Sequence, residues 1–80
     1  MQEAEQEKLL SVVVSVYNEE PALPDFYREA SQVLTDLDWE YELIFVNDGS
    51  QDGSLSILEQ LSQRDSRVKV INFSRNFGHE

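Results

Sequence analysis

Tyr41-Glu42-Leu43-Ile44-Phe45-Val46 runs directly into Asn47-Asp48-Gly49-Ser50-Gln51-Asp52-Gly53-Ser54. The first six residues are mostly apolar and too few for a helix, and they read as a strand. The next eight are small and polar, and their two glycines mark a turn. From Ser54 to Arg64 the apolar residues Leu55, Leu58 and Leu61 return at helical spacing. Ser50, Asp52 or Ser54 can serve as the N-cap of that helix. Arg67–Phe73 (RVKVINF) then reads as a further strand.

The same alternation extends towards the amino terminus. Pro21–Leu37 carries Leu23, Phe26, Tyr27, Ala30, Val33, Leu34 and Leu37, which trace one face of a helix. Pro21 and Pro24 fit only its first turn, where a missing N–H is tolerated. Leu9–Val16 (LLSVVVSV) is nearly all apolar, the pattern of a strand covered on both faces of a parallel sheet. The order strand, helix, strand, helix, strand predicts an α/β chain: a Rossmann-like parallel half-sheet with right-handed crossovers. Trp39 and Phe73 read as packing residues. Met1–Lys8 reads as a polar, flexible leader, residues 9–80 as one unit, and Ser74–Glu80 as an irregular tail. Three strands leave an unpaired edge, so more protein is expected after Glu80, and self-association through the open edge is expected of the isolated piece.

Composition narrows the classes. Eighty residues form at most one small domain with a thin stability margin. Sixteen acidic residues against six basic ones give a net charge of −10, which repels nucleic acid. The absence of cysteine excludes disulfides and is compatible with a cytoplasmic location. No apolar run approaches the roughly 20 residues that cross a bilayer.

In open parallel sheets, ligands bind beyond the carboxyl ends of the strands. Here those ends carry Tyr17-Asn18-Glu19, Asn47-Asp48-Gly49-Ser50 and Ser74-Arg75-Asn76-Phe77-Gly78. A tyrosine ring can stack a base, and a carboxylate can accept hydrogen bonds from ribose or base. Gly49 lets backbone approach a ligand, and Arg75 can meet a phosphate bidentately. Glu20 suits a helix N-terminus and Asp52 a helix cap, while His79 has no assigned role. Neither G-x-G-x-x-G after the first strand nor a phosphate-loop signature is present, which disfavours dinucleotide and nucleoside-triphosphate folds.

VVVSVYNEE, ELIFVNDGSQDGS and VINFSRNFGHE, in this order, resemble the amino-terminal part of glycosyltransferase family 2. The resemblance covers Leu9 to Glu80. It is strongest to the enzymes that load a sugar onto a polyprenyl phosphate, such as dolichyl-phosphate mannose synthases and bactoprenol glucosyltransferases. It implies a GT-A fold and a UDP- or GDP-hexose donor. Carried over, the nucleotide contacts are Ser15, Tyr17 and Glu19 in the first turn and Val46 and Asp48 at the second strand end; the strand-end residues read above add Asn18, Gly49 and Arg75 to the nucleotide-binding set. Many members have proline at the position of Ser15 and aspartate at that of Asn47. The resemblance also implies a divalent metal (Mg or Mn) held by a D-x-D motif after Glu80. It further implies a lipid-phosphate acceptor and a location at the cytoplasmic face of the membrane. No catalytic residue or metal ligand is expected within these 80 residues, so the piece alone is expected to be inactive. The alternative reading is an inactive nucleotide-binding module or a structural remnant.

Overall fold

The computed structural model describes residues 9–73. The order is β1 (Leu9–Val16), α1 (Leu23–Thr35), β2 (Glu40–Asp48), α2 (Ser54–Arg64) and β3 (Val68–Phe73). The three strands are parallel and lie in the order β1-β2-β3. The expected Rossmann-like half-sheet is therefore present. The leader Met1–Lys8, the tail Ser74–Glu80 and, within it, Arg75 and His79 lie outside the described residues.

The register explains the core. Val12 pairs with Leu43, Val14 with Phe45, and Val16 with Asn47, while Val68 and Val70 pair with Leu43 and Phe45 from the other side. Strand side chains alternate between faces, so all of these lie on one face. Leu43, Phe45 and Leu58 are fully buried there, with Val16, Leu23, Leu34, Tyr41, Leu61 and Val68 around them. The Phe26 ring meets Phe45 edge-on, with centroids 6.1 Å apart.

The expected two-sided cover of the sheet is not found. Among the described residues both helices pack on the Phe45 face. The cause is topological, because strands laid down in sequence order by right-handed crossovers put successive helices on the same side. The opposite face stays open: Val13 is 64% exposed and Ile71 52%. Phe73 and Trp39 are about half exposed and do not belong to the core. The helix expected from Pro21 to Leu37 is shorter at both ends. Only Pro24 sits in its first turn, and Pro21 lies in the preceding turn. There the Glu19 carbonyl accepts the Ala22 and Leu23 N–H groups.

One polar link crosses this layer. The Tyr27 hydroxyl donates to Asp65 Oδ2 at 2.6 Å, tying α1 to the turn between α2 and β3. That bond raises the tyrosine's pKa, with burial adding to it. Burial pushes the Asp65 carboxyl up, but the Tyr27 hydroxyl, the Arg67 N–H and the Arg67 guanidinium outweigh it and leave the carboxyl below its usual range. A depressed carboxyl contributes stability above the unfolded carboxyl pKa, and that stability is lost as pH falls. A raised tyrosine contributes stability below the unfolded tyrosine pKa, lost as pH rises through its folded value. Stability should therefore fall below about pH 4 and again above about pH 10. Tyr27→Phe should lower stability by about 1 kcal/mol at neutral pH and remove its share of the alkaline loss. Thermal melts across pH check this, and an unchanged alkaline limb in Tyr27→Phe would refute it.

Candidate functional site

Alternation along the strands sorts the residues expected to bind nucleotide. Ser15 pairs with Val46, and Val46 with Ile71, forming one row across the open face. One step further towards the carboxyl ends, Asp48 pairs with Phe73. Ser15 is exposed, whereas Val46 and Asp48 are half-buried. Tyr17, 46% exposed, follows β1 at the same end. Gly49 follows Asp48 with a φ of 75°, a left-handed conformation that strongly favours glycine. Ser15, Val46 and Asp48 thus share one uncovered platform with an apolar floor and a carboxylate at its rim. Ile71 and Phe73 complete that floor and were not singled out as site residues. Their signal was available, since the parallel register sets residues of β3 opposite Val46 and Asp48.

Asn47 lies on the other face. It is 2% exposed, and its Nδ2 donates to Asn72 Oδ1 at 3.0 Å. Its own Oδ1 has no hydrogen-bond partner among the described residues. A neutral amide suits this position better than a carboxylate, because it can donate to Asn72 and carries no charge into the interior. The departure from the common family residue therefore falls away from the platform.

Glu19 and Ser15 meet at a second place. With Val14, Ala22, Leu23 and Phe26 they line a cleft of about 150 Å³ at the outer edge of β1. Ser15 borders both platform and cleft. A larger depression, about 560 Å³, is lined by Tyr27, Arg28, Ser31, Gln32, Thr35 and Asp36 on α1 and contains none of the expected residues.

Asn18 has a φ of 53°, and its side chain is engaged: Oδ1 accepts the Gln51 N–H at 2.7 Å. Its own N–H donates to Ser50 Oγ at 2.9 Å. Asp52 accepts the Ser54 N–H at 2.9 Å and the Glu20 N–H at 3.2 Å. The Ser54 hydroxyl lowers the Asp52 pKa most, burial opposes it, and the backbone N–H groups of Ser54, Glu20 and Asp52 itself add to the lowering. The N-cap of α2 is Gly53, with no side-chain cap hydrogen bond, so none of Ser50, Asp52 and Ser54 takes that place; Asp52, one residue earlier, instead ties the first N–H of the helix to the first loop. Glu20 accepts the Gly53 N–H at 2.8 Å, so it serves the N-terminus of α2 rather than that of its own helix. Among the described residues no three histidine, cysteine, aspartate or glutamate side chains converge as a metal site.

The Glycosyl transferase family 2 profile matches residues 11–80. The chain belongs to glycosyltransferase family 2. It is 51% identical over 70 residues to the glycosyltransferase YkcC of Bacillus subtilis, a stretch that is 88% of this chain and 22% of that protein. It is 42% identical over 71 residues to the bactoprenol glucosyl transferase of Shigella phage SfV, covering 89% and 23%. Over 70 residues it is 40% identical to the undecaprenyl-phosphate 4-deoxy-4-formamido-L-arabinose transferase of Pseudomonas fluorescens, covering 86% and 20%. The chain therefore spans about a fifth of the length of these relatives. No helix among the described residues is long and apolar enough to cross a membrane.

Proposed function

We propose that this chain binds the nucleotide of a UDP- or GDP-hexose, as a donor-binding part of an enzyme that passes the sugar to a polyprenyl phosphate. In the complete reaction the sugar's bond to the diphosphate breaks and a bond to an oxygen of the lipid phosphate forms. The nucleoside diphosphate leaves. The observation that carries the reading is the platform at the strand ends, where Ser15, Val46 and Asp48 share one face beside Tyr17 in a family 2 chain. Tyr17 stacks the base over the Val46–Ile71 floor, and Asp48 accepts from a base N–H. The Glu19 carboxylate accepts from ribose hydroxyls. Arg75 meets the diphosphate, and Gly49 lets the backbone come close. The named activities of the phage and Pseudomonas relatives support a lipid-phosphate acceptor.

A divalent metal, Mg or Mn, is proposed to be held by residues outside this chain and to neutralise charge on the departing diphosphate. The reaction is proposed to take place at the cytoplasmic face of the membrane. Turnover by the full-length protein with UDP- and GDP-hexoses and a polyprenyl phosphate, with and without EDTA, tests the reading. Transfer that stops on chelation is expected. Absence of transfer from every nucleotide sugar would overturn the assignment, and nucleotide binding without transfer would favour the binding-only module.

Self-association through the open sheet edges is proposed for the 80-residue chain. A mainly apolar groove of about 300 Å³, lined by Val12, Phe26, Ala30, Val33 and Leu34 with the Glu29 carboxylate among them, runs along the outer edge of β1 and supports it. A net charge of −10 opposes it, and salt screens that charge. Sedimentation should show larger species at high salt than at low salt, and a monomer at both would exclude the proposal.

A further inference from the structure

Five hydrogen bonds interlock the segment after β1 with the segment after β2, and they form two reciprocal pairs around a central one. Asn18 gives its N–H to Ser50 Oγ and receives the Gln51 N–H on its Oδ1. Glu20 gives its N–H to Asp52 Oδ2 and receives the Gly53 N–H on its Oε1. Between them the Glu19 N–H donates to Ser54 Oγ at 2.9 Å. We propose that Glu20 is a positioning residue for nucleotide recognition, clasping the loop that carries Tyr17 to the loop that follows Asp48. The inference rests on the nucleotide-sugar reading above.

The N-terminus of α2 is where a parallel α/β sheet commonly receives a ligand phosphate, because free N–H groups and the helix dipole favour an anion there. In this chain an internal carboxylate fills that place. A Cβ at Gly53 would lie 2.7 Å from Glu20 Oε2, so a bare glycine is what admits the carboxylate. A diphosphate is thereby kept from α2, and the ligand is directed to the open face. The clasp has a second effect: the two loops move as one body, which fixes the Tyr17 ring relative to the Asp48 carboxylate. A site whose two halves are already ordered loses less entropy on binding than one that must order them.

The test is a set of calorimetric titrations of UDP and GDP into the full-length protein. Glu20→Ala should weaken the preferred nucleotide about tenfold, the scale expected when a binding geometry is loosened rather than a contact deleted. Glu20→Gln should recover most of that loss, since the amide oxygen still accepts the Gly53 N–H. In a double-mutant cycle with Asp48→Asn, the two losses should be less than additive, because Glu20 acts through the placement of Asp48 and Tyr17. Gly53→Ala provides a second route, as its methyl group displaces the carboxylate without removing it, and should weaken binding about threefold. A merely structural Glu20 would lower the melting temperature while leaving affinity and the cycle unmoved. That result, or wild-type affinity in Gly53→Ala where Glu20→Ala does not fold, overturns the inference alone. A wild-type protein that binds neither nucleotide overturns the nucleotide reading beneath it.

Discussion

Phe45→Ala should abolish the cooperative melt of the 80-residue chain at room temperature or bring it close to that point. Phe45 is fully buried on the central strand, between Val14 and Val70 and against the edge of Phe26. Truncating a buried phenylalanine typically destabilises by about 3–5 kcal/mol, through lost transfer energy and the cavity left behind. A domain of this size holds about 4–12 kcal/mol in total. One layer of helices covers the sheet, so the site has little surrounding mass that could collapse into the void. Val33→Ala on α1 is the matched control: Val33 is 65% exposed, and at low salt, where the chain is expected to be monomeric, its loss should stay within about 0.5 kcal/mol. Circular-dichroism melts of both variants decide the point. A Phe45→Ala melting temperature within about 5 °C of wild type would mean that the core is not centred on β2.

The contrast between Phe45 and Val33 also marks what could be read from the sequence. Element order and parallel pairing were legible because the apolar period changes cleanly between Leu9–Val16, the α1 stripe and the β2 run. The α2 span, Ser54–Arg64, was legible to the residue. The sidedness of the sheet was not. Val12, Val13 and Val14 are chemically identical, yet Val13 is exposed and its neighbours are half-buried. A uniform run carries no parity, so it reads the same whether one face or both are covered. The outer part of the α1 stripe misleads for a related reason: Val33 and Phe26 keep the period but lie along the open edge of β1.

The interlock of the two loops was the least legible feature. Register pairs β1 with β2 at an offset of 31 positions, as in Val16 with Asn47. The clasp bonds span 32 to 35 positions, just beyond that offset. Before the register is known, Glu20 is an acidic residue preceding its own helix, and a dipole role there is the natural reading. Three-dimensional proximity moves it to the neighbouring helix. Asn18 changes in the same way, because its side chain is already bound to Gln51. Of the residues expected to meet nucleotide, strand register places Ser15, Val46 and Asp48 on the open platform, and Tyr17 and Gly49 follow at the same strand ends.

Asp48→Asn is the substitution with the largest expected effect on binding. It exchanges one acceptor oxygen for a donor at nearly constant shape. Where Asp48 accepts from a base N–H, the amide either turns its oxygen to the ligand without charge or opposes a donor with a donor. Loss of a charged hydrogen bond of this kind is worth about 1.5–3 kcal/mol, or roughly ten- to a hundredfold in affinity. The melting temperature should move little, since asparagine is well tolerated at turns and strand ends next to a left-handed glycine. Asp52 is unsuitable as a control, because both of its oxygens accept backbone N–H groups and Asp52→Asn must lose one of them. Asp25→Asn serves instead: it removes the same charge from an exposed pair with Arg28 on α1, 71% exposed at the aspartate. Such a pair contributes at most a few tenths of a kcal/mol. Calorimetric titration of UDP and GDP into the full-length protein and both variants separates a specific contact from a change in net charge. The expected pattern is wild-type affinity in Asp25→Asn and a ten- to hundredfold loss in Asp48→Asn, with melting temperatures that agree. If Asp48 only shapes the turn, the pattern inverts: its substitution lowers the melting temperature and leaves nucleotide affinity where it was.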